Sequence, residues 1–161
     1  MSEIVLQFVG ADDPGSRAIQ WFSQGICSHV DAVLDSGELL GSRSDSVGGK
    51  PPGVQIRPAD YEAFSRVVRI YLPAPDEMVS DFYALIRGEI GKPYDSEGIL
   101  AFISGRDWHD SSAWFCSELQ GAMLERCGYF ASPLATPSNK LTPAGLLLAC
   151  SARVPVAMPS P

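Results

Sequence analysis

Strand-like segments fill the first half of the chain, and segments with helical spacing come mainly after them. The clearest strand is predicted at residues 65–72 (S-R-V-V-R-I-Y-L), where β-branched residues alternate with polar ones. Shorter strands are predicted at residues 4–9, 26–34, 38–44 and 54–57. Strands that precede helices, instead of alternating with them, are typical of a sheet with helices on one side. The order of the segments therefore predicts an α+β fold.

The spacing of apolar residues predicts longer helices at residues 77–90 and 115–127. Asp76 and Gly91 are expected to be the N-cap and the C-cap of the first of these. Shorter helices are predicted at 16–23, 96–104 and 142–150, the last opened by Pro143, with a helical turn at 59–63.

The chain of 161 residues fits one domain, predicted over residues 1–153 and followed by a Pro-rich tail at 154–161. A formal net charge of −7 argues against a nucleic-acid-binding protein. The N-terminus lacks the basic and apolar regions of a signal peptide, and no run approaches the ~20 apolar residues of a membrane span. We therefore expect a cytoplasmic location and no membrane span; the expectation of a small peptide or acyl substrate comes instead from the resemblance described below.

The four cysteines are Cys27, Cys116, Cys127 and Cys150, and a cytosolic location predicts that they are reduced. None of them forms a C-x-x-C pair, and no second ligand pair at zinc-like spacing follows Cys27 and His29. We therefore expect no metal and no cofactor. Cys127 and Cys150 fit the ordinary use of cysteine as a small buried apolar residue.

Cys116 lies in the segment W-F-C-S-E-L, where a polar loop ends and a helix is predicted to begin. The unpaired N–H groups at a helix N-terminus favour negative charge, and therefore the reactive thiolate. The same groups can also bind an oxyanion. The position alone leaves a nucleophile and a buried core cysteine about equally well supported.

Only two histidines, His29 and His109, could act as the base of a cysteine nucleophile. His29 lies in a predicted strand of small and apolar residues, so its imidazole is either a structural group or part of a site. His109 lies seven residues before Cys116 between acidic residues and fits a solvated loop position. We therefore predict His29 as the base.

Three segments, in this order, resemble a known family: S-H-V-D-A-V-L, G-K-P-Y-D-S-E-G and W-F-C-S-E-L. They are similar to circularly permuted papain-like proteins of the NlpC/P60 superfamily, of the YiiX type, which are distantly similar to lecithin–retinol acyltransferases. The resemblance covers residues 26–150 and includes the later segment L-T-P-A-G-L-L. It implies a small antiparallel sheet packed against the helix that carries Cys116, with the histidine before the cysteine. Several such proteins occur in phages, which suggests a phage-related gene.

The resemblance also implies roles for individual residues. Cys116 would be the nucleophile, His29 the base, and Tyr94 a residue that lines the site near the oxyanion hole; a core aromatic is an equal alternative for Tyr94. The implied activity is that of a cysteine amidase or endopeptidase that forms a thioester, with peptidoglycan peptides as one substrate class. Two alternatives stay open: a non-catalytic binding module, and an acyltransferase or lipid hydrolase on the same scaffold.

One position departs from the family pattern. A gapless alignment puts the residue that orients the base at Gly41, and glycine has no side chain to do so. Asp31 is one replacement, because a residue two positions after His29 shares its face of the strand.

The other replacements depend on the length of the hairpin loop. A two-residue turn places Ser44 opposite His29, whereas a three-residue turn favours Arg43 and Asp45. Ser42 and Gln55 are further candidates, and the sequence does not choose among them.

Overall fold

The computed structural model describes residues 2–96 and 112–154. Its strands are β1 (Ser2–Gly10), β2 (His29–Val33), β3 (Leu39–Arg43), β4 (Gly53–Arg57) and β5 (Arg66–Ala74). Its α-helices are α1 (Pro14–Ser23), α2 (Asp76–Arg87), α3 (Cys116–Arg126) and α4 (Pro143–Ser151), with a 3₁₀ turn at Ser138–Lys140. The strands form one antiparallel sheet in the order β4-β3-β2-β1-β5.

The predicted α+β class is confirmed, and all five strands form where the alternating pattern indicates. Two local predictions are wrong. The strand predicted at 26–34 pairs with β3 and β1 only from His29 onward, and residues 59–63 form a turn without a helix. Only Ser96 of the helix predicted at 96–104 lies within the described residues. Of the tail predicted at 154–161, only Val154 does.

The caps of α2 also differ from the prediction. Pro75 is its N-cap, and the Asp76 carboxylate instead accepts hydrogen bonds from the N–H and hydroxyl of Ser2 at 3.1 and 2.9 Å. The helix ends at Arg87, and Gly91 lies beyond it with a φ of 90°. This positive φ favours glycine. Gly91 also donates its N–H to the carbonyl of Val54 on β4.

The β2–β3 hairpin has a three-residue loop, one of the two alternatives left open by the sequence. Leu34 donates its N–H to the carbonyl of Glu38 at 2.9 Å, and Gly37 between them has a φ of 83°. The register pairs Ala32 with Leu40. Continued along the strands, this register puts Gly41 beside Asp31 and Arg43 beside His29.

Helix α3 is the most deeply buried helix in the described part of the chain, since nine of its eleven residues are buried. It packs against β2, β3 and α2, with Leu119 and Met123 fully buried. Its polar side chains are also bonded: Gln120 donates to the carbonyl of Leu40 at 3.0 Å, and Ser117 donates to the carbonyl of Leu141 at 2.6 Å. These contacts fix the position of the first residue of α3, Cys116.

None of the helices in the described ranges is long and apolar enough to cross a membrane.

Candidate active site

Cys116 is the first residue of α3 and follows the extended N-cap residue Phe115. The N–H groups of the first helical turn have no partners within the helix, so they favour negative charge at this end of α3. The N–H of Phe115 is instead bonded by the Glu118 carboxylate at 3.3 Å, which secures the helix start. The Cys116 residue is 1% exposed and its side chain forms part of a cavity wall.

His29 is the first residue of β2, and its partner on β1 is Val9. Its Nε2 lies 2.8 Å from Oδ1 of Asp31. Cys116 lines the same cavity as His29, close enough for its charge to raise the pKa of the imidazole. Residues 87 positions apart in the sequence are thus brought together by the packing of α3 on β2.

The protonation of His29 depends on two opposing effects. Burial alone would lower the pKa of the imidazole. The negative charges of Asp31 and of the Cys116 thiolate, together with the hydrogen bonds to both, outweigh burial and raise the pKa of His29 to about 9. The imidazole of His29 is therefore favoured as a cation at neutral pH.

Asp31 is 1% exposed, and Gly41 makes room for its carboxylate. A Cβ atom at Gly41 would lie 1.9 Å from Oδ1 of Asp31, far inside van der Waals contact. Because Gly41 has no side chain, the carboxylate of Asp31 from β2 occupies the space where a side chain at position 41 would lie. Among the candidates left open by the sequence, the carboxylate that contacts His29 is that of Asp31.

Tyr61 is a member of the site that the sequence did not indicate. Its hydroxyl donates to Oδ2 of Asp31 at 3.0 Å, so both carboxylate oxygens are engaged. Burial would raise the pKa of Asp31, but the charge of His29 and the hydrogen bonds from His29 and Tyr61 lower it below its usual value. Burial and the charge of Asp31 raise the pKa of Tyr61, which keeps the hydroxyl a donor.

Arg43 completes the polar chain behind Tyr61. Its Nη1 donates to the Tyr61 hydroxyl at 3.2 Å, and its guanidinium lies 5.2 Å from the centre of the Tyr61 ring. Arg43 also forms ion pairs with Asp45 and Glu62, both at 2.8 Å. Asp45, one of the predicted orienters of His29, is therefore engaged by Arg43. The Arg43 position follows from the hairpin register, whereas Tyr61 lies in a loop without a periodic pattern.

Ser44 and Tyr94 line the same cavity as Cys116 and His29. Tyr94 packs edge-on against Phe115, with the ring centres 6.1 Å apart. Burial and the charge of Cys116 raise the pKa of Tyr94 well above its ordinary value, so its hydroxyl stays protonated. The Tyr94 ring thus lines the cavity and packs against the residue before the cysteine.

The cavity beside Cys116 has a volume of about 350 Å³. Residues of α1 line it together with the polar residues of the site. His109, the rival base, lies outside the described residues.

No protein-family model matches the chain, and no curated protein gives a significant match. One matching solved structure is described as the metalloprotein YiiX from Escherichia coli O157:H7. The alignment covers 94% of this chain and 81% of that chain, with a TM-score of 0.56 and 16% sequence identity. The chain has a YiiX-like fold. At this identity the likeness concerns the fold and assigns no activity.

The YiiX-like fold raises the question of metal binding, because YiiX itself is described as a metalloprotein. Within residues 2–96 and 112–154 of this chain, no group of three or more His, Cys, Asp or Glu side chains is arranged to hold a metal ion. All four cysteines are free. Burial, then the charge of Cys116, raises the pKa of Cys27 to about 12, and burial raises that of Cys150 to about 12. Both are therefore neutral thiols near neutral pH.

Proposed function

We propose that this protein is a cysteine hydrolase in which Cys116 is the nucleophile, His29 the general base and Asp31 the residue that orients the base. The fold is proposed to be a circularly permuted papain-like arrangement. The observation that carries the proposal is that Cys116, the first residue of α3, lines one cavity with His29, whose Nε2 lies 2.8 Å from Asp31. Nucleophile, base and orienter within hydrogen-bonding reach are the arrangement that acyl-transfer catalysis requires.

Acylation begins with the Cys116 thiolate attacking the carbonyl carbon of the substrate. The carbonyl electron pair moves onto oxygen, and the resulting oxyanion is stabilised by N–H groups of the first turn of α3 and by the Tyr94 hydroxyl. As the oxyanion collapses, the bond to the leaving amine or alcohol breaks and His29 donates its proton to that group. The product is a thioester on Cys116.

Deacylation uses the same groups in the opposite sense. The now neutral His29 accepts a proton from water, and the hydroxide equivalent attacks the thioester carbonyl. The carbon–sulfur bond then breaks, releasing the carboxylic acid and restoring the thiolate. Asp31 stays ionised throughout, because its role is to fix the tautomer and to stabilise the imidazolium.

Gly41 supports the enzyme over the non-catalytic module. A decayed site would lose the orienting group without replacement, but here the carboxylate of Asp31 fills the space that Gly41 leaves, at 2.8 Å from the imidazole. The second hydrogen bond, from Tyr61, restrains that carboxylate further. A buried polar network whose members are bonded holds its groups in fixed positions, as an orienting carboxylate requires.

The proposal is tested by trapping the acyl-enzyme. Wild-type protein mixed with p-nitrophenyl acetate is expected to release a stoichiometric burst of p-nitrophenolate and to carry one acetyl group on Cys116, located by peptide mass spectrometry. Cys116→Ala should give neither signal. Acetylation at lysines alone, with no burst, would contradict the proposal.

Chelation provides a second control. The burst should persist in EDTA and disappear after thiol alkylation, because the step uses only side chains of the chain. A burst lost on chelation and restored by zinc would indicate a metal-assisted reaction instead.

A further inference from the structure

The cavity beside Cys116 is lined by charged and by apolar residues, and the apolar ones suggest what binds there. Helix α1 contributes Ala18, Ile19 and Phe22, which share one helical face. Val9 and Phe64 contribute apolar surface from other parts of the cavity wall. Apolar surface predominates over polar surface in the walls as a whole.

From this wall we propose that the acyl side of the scissile bond is an uncharged aliphatic chain that lies along α1, with its carbonyl at Cys116. This inference rests on the proposed hydrolase activity and names its substrate class. A cavity of about 350 Å³ whose wall area is mainly apolar suits a small apolar ligand.

Helix α1 has an amphipathic sequence, yet none of its residues is buried. The apolar face of an amphipathic helix normally packs against the core, and here Ile19 on that face instead lines the cavity. An aliphatic chain placed against this face would remove apolar surface of both partners from water. The apolar face of α1 would therefore pack against the aliphatic chain of the bound substrate.

The charges on the cavity wall argue against an anionic peptide as the substrate. Among the described lining residues, Arg43 is the only lysine or arginine, and it is already paired with Asp45 and Glu62. A third acidic residue, Asp13, also lines the cavity. Carboxylate-rich peptides would meet these acids without a free cation to bind them, whereas a neutral acyl chain has no such cost.

The inference is tested with p-nitrophenyl acetate, butyrate and octanoate. We expect kcat/KM for acylation to rise about tenfold or more from acetate to octanoate, because each added methylene is buried against the wall. Acetyl-leucine p-nitrophenyl ester, which carries an amino-acid side chain, should gain less than octanoate. An equal or larger gain with the leucyl ester would overturn the aliphatic chain in favour of a peptide.

Ile19→Phe is designed to fill the wall while leaving the catalytic groups in place. It should abolish most of the gain in kcat/KM from acetate to octanoate, whereas Trp21→Ala should retain that gain. Trp21→Ala is the matched control on the same helix, since Trp21 is 76% exposed and does not line the cavity. Equal loss of octanoate activity in both variants would show that α1 acts through stability and would overturn the inference.

Binding to the Cys116→Ala variant separates the substrate class from the chemistry. Calorimetry should detect octanamide binding at least tenfold tighter than acetamide binding. Octanamide binding without acylation of the wild-type protein would refute the hydrolase and leave the apolar site standing as a binding module. Acylation of Cys116 with no dependence on chain length would refute the apolar site and leave the hydrolase standing.

Discussion

Helices α3 and α1 both line the cavity beside Cys116 but differ in burial. Nine of the eleven residues of α3 are buried, and its first residue is Cys116. Helix α1 contributes to the cavity wall with no buried residue. Cys116 is therefore held by the core, whereas exposed residues of α1 can change at little cost in stability. Under the proposed function, the reacting thiol and the wall against the substrate would belong to regions of different rigidity.

The largest effect is expected on the rigid side, at His29. His29→Ala removes the base and the positive partner of the thiolate, so esterase turnover should fall about 10²- to 10⁴-fold. His109→Ala, which changes the other histidine, should retain most of the activity. Steady-state rates of both variants, with folding checked by circular dichroism, make the comparison. Equal losses would remove the assignment of His29 as the base.

The next effect compares the stability of the two helices directly. Leu119→Ala empties a fully buried site in α3 and should lower the free energy of unfolding by about 2–5 kcal/mol. Trp21→Ala on α1 should change it by no more than about 0.5 kcal/mol. Urea denaturation of the two variants beside the wild type gives both values. Similar destabilisation by the two substitutions would abolish the contrast.

Gly41→Ala tests the space that holds the Asp31 carboxylate. The new methyl group would overlap Oδ1 of Asp31, so the carboxylate must move away from His29. A displacement on the order of 1 Å in a catalytic group can lower turnover by up to about 10²-fold. Gly88→Ala, at an ordinary helical φ of −64°, is the matched control and should leave turnover unchanged. Full activity in Gly41→Ala would mean that Asp31 does not need its present position.

A smaller effect is expected on the pH dependence of stability. The folded pKa of His29, about 9, lies above the unfolded value of about 6.5, so its stabilising contribution is complete below about pH 6.5 and lost as pH rises through 9. Asp31 has the opposite sign: its lowered pKa stabilises the fold above about pH 4, and that contribution is lost as pH falls through the folded value.

Urea denaturation at a series of pH values measures these contributions. The wild type should lose stability between about pH 6.5 and 9, and His29→Gln should show a flatter profile over that interval. Parallel profiles for the two proteins would mean that the imidazole is not stabilised as a cation in the fold.

The part of this structure that follows local patterns was predictable from the sequence. Alternation located the strands, and the residues around Cys116 indicated the start of α3. The length of the β2–β3 turn could not be predicted, because Asp35, Ser36 and Gly37 suit both a two-residue and a three-residue turn. Only the observed register shows that Gly41 lies beside Asp31.

The hydrogen-bonded residues behind His29 were harder to predict, because Asp31 lies on β2, Arg43 on β3 and Tyr61 in a loop. Arg43 appeared only as one outcome of the turn length. Tyr61 lies in an irregular segment, where no periodicity indicates which way a side chain points. The prediction of Asp76 as the N-cap of α2 was wrong because of another contact between distant parts of the chain. Asp76 is a residue type that often caps helices, but its carboxylate accepts hydrogen bonds from Ser2 on β1 instead.

The central claim is that the buried side of the cavity holds an activated thiolate, and the rate of alkylation of Cys116 measures it. Wild-type protein is treated with iodoacetamide near pH 6, and each cysteine is quantified by peptide mass spectrometry. Cys127, which is only half-buried and whose pKa is raised by burial, is the internal reference. Cys116 is expected to react stoichiometrically at least ~10² times faster than Cys127, and His29→Ala should remove this difference. Alkylation of Cys116 no faster than that of Cys127 would contradict the claim.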